Sequence, residues 1–187
     1  MRNPFNETVK YFKKKAAKEI LFYQADADDN TMYMSDGHVI AKMPSAFYRE
    51  YIVPHVPGVP TWTGESFKVS GRNSILTDCK LDQKRFFEDS EPAGHTTAER
   101  ILIEAGDTLT RCFFWDGENG LTGCPVNNDF YKMSLEYTNG IYFHGNERAP
   151  IITHHDRLSF LMLPMANIPA FTTLLDRINA GRLARTA

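Results

Sequence analysis

The chain has 187 residues, of which 42% are hydrophobic and 24% charged, with a formal net charge of -2. That composition builds a core and excludes a disordered chain, and no apolar run approaches the roughly 18 residues a membrane-spanning helix needs. The charge is uneven: residues 1–19 carry six basic and two acidic side chains, residues 166–187 three and one, and the residues between 12 and 20. A generic polyanion binder is thereby excluded, whereas one basic surface on an otherwise acidic body is not.

Pro4 predicts the first turn of a helix, with Asn3 as its cap. Phe5, Val9, Phe12 and Ala16 recur on one face at the helical period, and Lys10, Lys13, Lys14 and Lys18 gather on the other. Strands are expected at 20–24, 31–34 and 39–42, joined by an acidic turn at 26–30 and by Ser35-Asp36-Gly37, which makes an antiparallel meander. The acidic turn lacks the spacing and the distal glutamate of a calcium loop and reads as a solvated hairpin turn. Residues 45–52 have helical spacing at Phe47, Tyr48 and Tyr51. The VPHVPGVP stretch after them is a connector and a candidate boundary. A short strand is expected at 66–70, and the polar stretch 71–97, with its Phe86-Phe87 pair, reads as an excursion or mobile loop.

From residue 98 the pattern sharpens. Strands are expected at 100–105 and 108–115 around a Gly106-Asp107 turn, with further turns at Asp116-Gly117 and Asn119-Gly120. Asn127 or Asn128 caps a short helix reaching Glu136, which Asn139-Gly140 stops. Strands at 141–144, 150–153 and 158–163 follow, connected by 145–149 and 154–157. Pro169 opens a last helix with Phe171, Leu174, Leu175 and Ile178 on one stripe. The fold class is α+β, antiparallel sheets with short helices, and the order helix then meander occurs twice, at 4–43 and 127–163. The expected organisation is a first helix-and-meander module with its Pro-rich connector over 1–60, a connecting strand and loop excursion over 61–97, a second module over 98–165 and a C-terminal helix over 166–187.

Motifs for chemistry are sparse. Cys79, Cys112 and Cys124 fit neither a zinc ribbon nor a disulfide framework, and with no export signal in the opening segment they point to the cytoplasm. His154-His155 is the only histidine pair and has no HExxH around it; no P-loop, GxSxG or GxGxxG is present. Cys124 reads as a structural thiol, and Glu99, Glu104 and Asp107 spell no acid–base couple. Phe113, Phe114 and Trp115 read as core packing rather than a stacking platform for bases. No catalytic residue, metal or cofactor is expected, and binding is the favoured class over an enzyme.

Residues 126–165 read VNNDFYKMSLEYTNGIYFHGNERAPIITHHDRLSFLMLPM. Asn127 and Asn128 lead a short helix holding the aromatic pair Phe130-Tyr131. A strand at 141–143, a turn with Gly145, the proline-led run Pro150-Ile151-Ile152-Thr153, a turn with Asp156 and the closing Leu161-Met162-Leu163-Pro164-Met165 follow in order. This stretch resembles the closing module of DNA sliding clamps, in particular the bacterial DNA polymerase III beta subunit. The opening helix, with the meander that ends in SDGHVIAKMP, looks like the start of another clamp module. The resemblance implies a non-catalytic, processivity-factor-like role in DNA replication, with sheets outside and helices turned toward double-stranded DNA. It implies sequence-independent contact through Lys10, Lys13, Lys14 and Lys18, whose cationic face suits phosphates. It also implies polymerase or clamp-loader-type peptides and further copies of the chain as partners. Leu161, Met162, Met165, Phe171, Leu174, Leu175 and Ile178 are the candidate partner-binding residues. The chain runs on past Met165, and its apolar tail stripe is expected to pack near 161–165 or on a neighbouring subunit, where it would cover a peptide-docking surface, or else to complete the core as an ordinary terminal helix. The alternative reading is an α+β interaction or assembly module with no nucleic-acid role.

Overall fold

The computed structural model describes residues 4–17, 20–26, 30–61, 66–70, 73–76, 87, 91–92, 96–97, 102–105, 108–117, 120–134, 140–143, 151–155, 158–163, 165 and 168–186. Helix α1, Pro4–Ala16, begins at the proline, whose fixed φ suits a first helical turn. Its inward side buries Thr8, Tyr11, Phe12 and Ala16 and half-buries Phe5 and Val9. Strands β1 (Ile20–Asp26), β2 (Thr31–Ser35) and β3 (Val39–Pro44) follow as an antiparallel meander. The β1–β2 turn ends at Asn30 with φ 51, a left-handed conformation that asparagine tolerates, and the β2–β3 turn takes Gly37 with φ 88.

One helical turn, α2 (Ser45–Phe47), widens into a π-helical turn over Tyr48–Ile52. The Tyr48 hydroxyl donates to the Pro60 carbonyl at 2.5 Å, tying the Pro-rich connector back onto the fold. Strands β4 (Phe67–Ser70) and β5 (Asn73–Leu76) extend the meander beyond β1. Four strands come next: β6 (Glu91–Pro92), β7 (Thr96–Thr97), β8 (Leu102–Ala105) and β9 (Thr108–Gly117). Then come β10 (Gly120–Asn127), α3 (Asn128–Ser134), β11 (Gly140–Phe143), β12 (Ile151–His155) and β13 (Leu158–Met162), and α4 (Pro169–Thr186) closes the described chain.

The architecture is α+β with two antiparallel sheets. The larger has nine strands in the order β5-β4-β1-β2-β3-β13-β12-β11-β6; in the smaller, β10 pairs along one edge of β9, and β7 and β8 share the other. Several expectations need correcting. Parts of the stretch 71–97 are strands: β5 and β6 lie at the two ends of the large sheet and β7 belongs to the small one. Asp116-Gly117 ends β9 instead of turning, and His154 and His155 belong to β12. Residues 121–126, which the sequence assigns to no element between the Asn119-Gly120 turn and the helix cap, belong to β10, whose edge position tolerates the missing N–H of Pro125. Cys79, Phe86 and the turns at Gly106-Asp107, Gly145 and Asp156 lie outside the described residues.

Strands β3 and β13 join the two helix-and-meander units, with Ala41 opposite Phe160 and Ile40 opposite Leu161. The order α1-β1-β2-β3 is repeated as α3-β11-β12-β13, and the large sheet reads outward from the β3–β13 pair in the same sequence on both sides. One constant sequence offset relates the units. It carries Val39, Ala41 and Met43 onto Leu158, Phe160 and Met162, all six of which face one core. The same offset carries Tyr11 onto Phe130, whose rings meet edge to face at 5.7 Å where α1 packs beside α3. Both helices cover the same face of the sheet, since Phe12, Phe130 and Met133 share that core with β3 and β13. The opposite face carries a smaller cluster of Tyr33, Ile152, Leu161 and Phe87.

Phe160 has no exposed surface, and Leu163, one residue beyond the end of the same strand, is 41% exposed. Phe160→Ala is expected to lower unfolding free energy by about 3–5 kcal/mol and Leu163→Ala by about 0.5 kcal/mol or less. Urea denaturation followed by circular dichroism measures both, and equal losses would contradict the β3–β13 register.

Candidate nucleic-acid interface

On α1 the helical period that buries Phe12 and Ala16 turns Lys10, Lys13 and Lys14 to solvent. Lys10 and Lys14 side chains are 70% and 67% exposed. Lys18 lies outside the described residues. The lysines are not equally available. The Lys10 ammonium lies 2.8 Å from the Glu7 carboxylate one turn back, and the Lys14 ammonium lies 3.8 Å from Asp129 across the α1–α3 groove. Asp129 stands in the first turn of α3, where a negative charge suits the helix dipole, and its N–H donates to Asn127 Oδ1 at 2.8 Å. Lys13 is exposed and has no ion pair among the described residues. A cleft of about 160 Å³ between the helices is lined by Glu7, Lys10, Tyr11, Lys14, Asp129 and Met133.

The fourth lysine of the helix, Lys15, serves the fold. Its ammonium lies 3.3 Å from Asp36, whose side chain is fully buried, and 5.6 Å from the centre of the Tyr11 ring. Asp36 accepts the Tyr11 hydroxyl at 2.5 Å and the amides of His38 and Val39 at 3.0 Å each. One carboxylate thus shapes the β2–β3 turn and anchors α1 to it. Burial opposes its charge, but the Tyr11 hydroxyl, the two amides and Lys15 together outweigh burial and hold the carboxyl below its ordinary value. The turn signal at Asp36 was legible in the sequence; its long-range partners Tyr11 and Lys15 were not.

The outer face of the large sheet carries a row of polar residues of which the sequence singled out only His154, as half of a histidine pair. The register aligns Tyr33, Lys42, Ser159 and His154 in one row across β2, β3, β13 and β12. The Lys42 ammonium lies 5.9 Å from the centre of the Tyr33 ring and 5.8 Å from that of Phe87, and His154 Nδ1 is 2.7 Å from the Ser159 hydroxyl. Burial first, and Lys42 second, hold the His154 imidazole below its ordinary value.

The candidate partner-binding residues divide between separate places. Met162 is buried in the main core, and Leu161 in the small cluster on the other face. Phe171 and Ile168 are buried around Cys112, with Met165, Leu174, Leu175 and Ile178 packed half-buried against them. Helix α4 therefore docks on the chain's own smaller sheet, against β10 and β8; of the residues 161–165 expected beside it, Met165 shares its cluster, whereas Leu161 and Met162 belong to the other two. The Met165 N–H donates to the Pro125 carbonyl at 2.8 Å and fixes the approach to α4. Burial pushes the Cys112 thiol up to about 11 and, together with Cys112, pushes Cys124 higher still, so both act as apolar side chains at neutral pH. Among the described residues, no three His, Cys, Asp or Glu side chains converge as metal ligands, and no helix is long and apolar enough to cross a membrane.

No family model and no curated protein matches the chain. Among solved structures it is similar to an H. pylori beta clamp in complex with 5-chloroisatin, with 13% identity and a TM-score of 0.43, over 86% of this chain and 63% of that one. The chain thus spans less than two thirds of that clamp chain's length.

Asp36 provides a pH test of the anchor. A carboxyl whose folded pKa lies below its ordinary 3.8 stabilises the fold fully above that value and loses the contribution as pH falls through the folded value. Asp36→Ala is expected to cost about 3 kcal/mol at neutral pH. In denaturation curves taken at successive pH values, the gap to the wild type should narrow as the medium falls below about pH 4. A gap that stays constant into acid would contradict the charged network.

Proposed function

We propose that the chain is a non-catalytic, clamp-like DNA-associated protein whose α1–α3 face contacts duplex DNA without reading its sequence. One observation carries the reading: two helix-and-meander units share a continuous sheet, their helices lie side by side on one face of it, and the solvent side of α1 presents Lys10, Lys13 and Lys14. The sheet forms a stiff backing, and the lysines offer ammonium groups that attract phosphates irrespective of base sequence. A processivity-factor-like role, with polymerase or loader-type peptides and further copies of the chain as partners, is the functional setting this reading adopts from the clamp resemblance of residues 126–165.

A second reading, an interaction or assembly module without a nucleic-acid role, is favoured by the ion pairs of Lys10 with Glu7 and Lys14 with Asp129, which neutralise two of the three lysines. Duplex binding followed by fluorescence anisotropy separates the two. Under the DNA reading the wild type binds at low salt, and Lys10, Lys13 and Lys14→Gln together lower affinity at least about tenfold, or 1.4 kcal/mol. Circular dichroism should stay unchanged, because exposed ion pairs hold little of the fold. Equal binding by the triple variant, or none by the wild type, would favour the interaction module.

A further inference from the structure

Helices α1 and α3 differ in charge at positions the repeat makes equivalent. The offset that superposes the units carries Lys10 onto Asp129 and Lys14 onto Met133, so the groove between the helices is cationic on the α1 side and bears a carboxylate on the α3 side. The two carboxylates lining it, Glu7 and Asp129, are the ones that hold Lys10 and Lys14. A lysine already paired with a carboxylate gains little by moving to a phosphate. The bared carboxylate then lies beside a polyanion and must recruit a cation of its own, which cancels the counterion that the phosphate releases. Lys13 escapes this cancellation, being exposed without an ion pair among the described residues.

We propose that Glu7 and Asp129 are affinity-limiting residues of this face, acting as internal competitors of phosphate for Lys10 and Lys14. The inference rests on the duplex-DNA reading above and deepens it. The two acids make the contact weak and keep Lys10 and Lys14 out of the salt dependence. Lys13 then dominates phosphate attraction on α1. Removing an acid releases a lysine that the fold already positions.

The test is a set of anisotropy titrations with one short DNA duplex at salt concentrations between about 50 and 200 mM. Asp129→Asn and Glu7→Gln should each tighten binding several-fold, and each should steepen the plot of log affinity against log salt by about 0.9, one extra phosphate contact. Lys14→Gln should matter little in the wild type and substantially in the Asp129→Asn background. Glu7→Gln leaves α3 untouched, so the test stands even if the Asp129 variant weakens that helix. If Lys13→Gln weakens binding while Asp129→Asn and Glu7→Gln bind like the wild type, the internal competition is overturned and the DNA reading survives. If the wild type and both acid variants fail to bind duplex at the lowest salt, the DNA reading is overturned and the competition with it.

Discussion

Where β3 meets β13, Ala41 faces Phe160 and Ile40 faces Leu161, and the alternation along those two strands decides which side of the nine-stranded sheet is core. A slip of one residue would turn Phe160 and Met162 away from the helices and bring Ser159 and Leu161 beneath them. That single register also fixes the relation between the units: it sets α1 beside α3, brings the Tyr11 and Phe130 rings together and gives Phe12 and Met133 a common core. The smaller sheet attaches to this body through the chain itself, since β10 runs directly into α3, and Cys124 and Val126 of β10 belong to the main core. Helix α4 covers the small sheet's other cluster around Cys112.

Charge is used in two physically different ways on α1. Lys15 is drawn to a buried carboxylate that also holds a turn and a tyrosine hydroxyl, so its contribution is structural and weakly screened. Lys10, Lys13 and Lys14 stand in high dielectric, where the pairs that Lys10 and Lys14 make with Glu7 and Asp129 contribute little to stability. A face built from such residues can meet a polyanion without disturbing the core beneath it.

Legibility in the sequence followed the range of the determining interaction. Helix α1 was readable because Pro4 and the Phe5, Val9, Phe12, Ala16 spacing are local, and the meander β1–β3 because Ser35-Asp36-Gly37 supplies its own turn chemistry. The repeat of helix and meander was readable as an order of elements, and the C-terminal helix as an apolar stripe. Strand β10 was hidden by Gly120, Gly123 and Pro125, which look like turn residues and persist in a strand only because it is an edge. The short strands β5, β6 and β7 were hidden because their partners β4, β11 and β9 hold them in place. At the site, the lysines of α1 were visible as a face, but the carboxylate that meets Lys14 comes from a helix more than a hundred residues later in the chain. The residues surrounding Lys42 were invisible for the same reason, since only the register brings Tyr33, Ser159 and His154 into its row.

In the proposed function α1 and α3 are the working surface and the sheet behind them is its support. The most direct test is an amide-resolved NMR titration of the whole chain with a short DNA duplex. The expected result is a set of shifts concentrated on amides of residues 7–14 and 128–134, with the strands β3 and β13 behind them little changed. Shifts confined to the outer face around Tyr33, Lys42 and His154, or no shifts at saturating duplex, would contradict it.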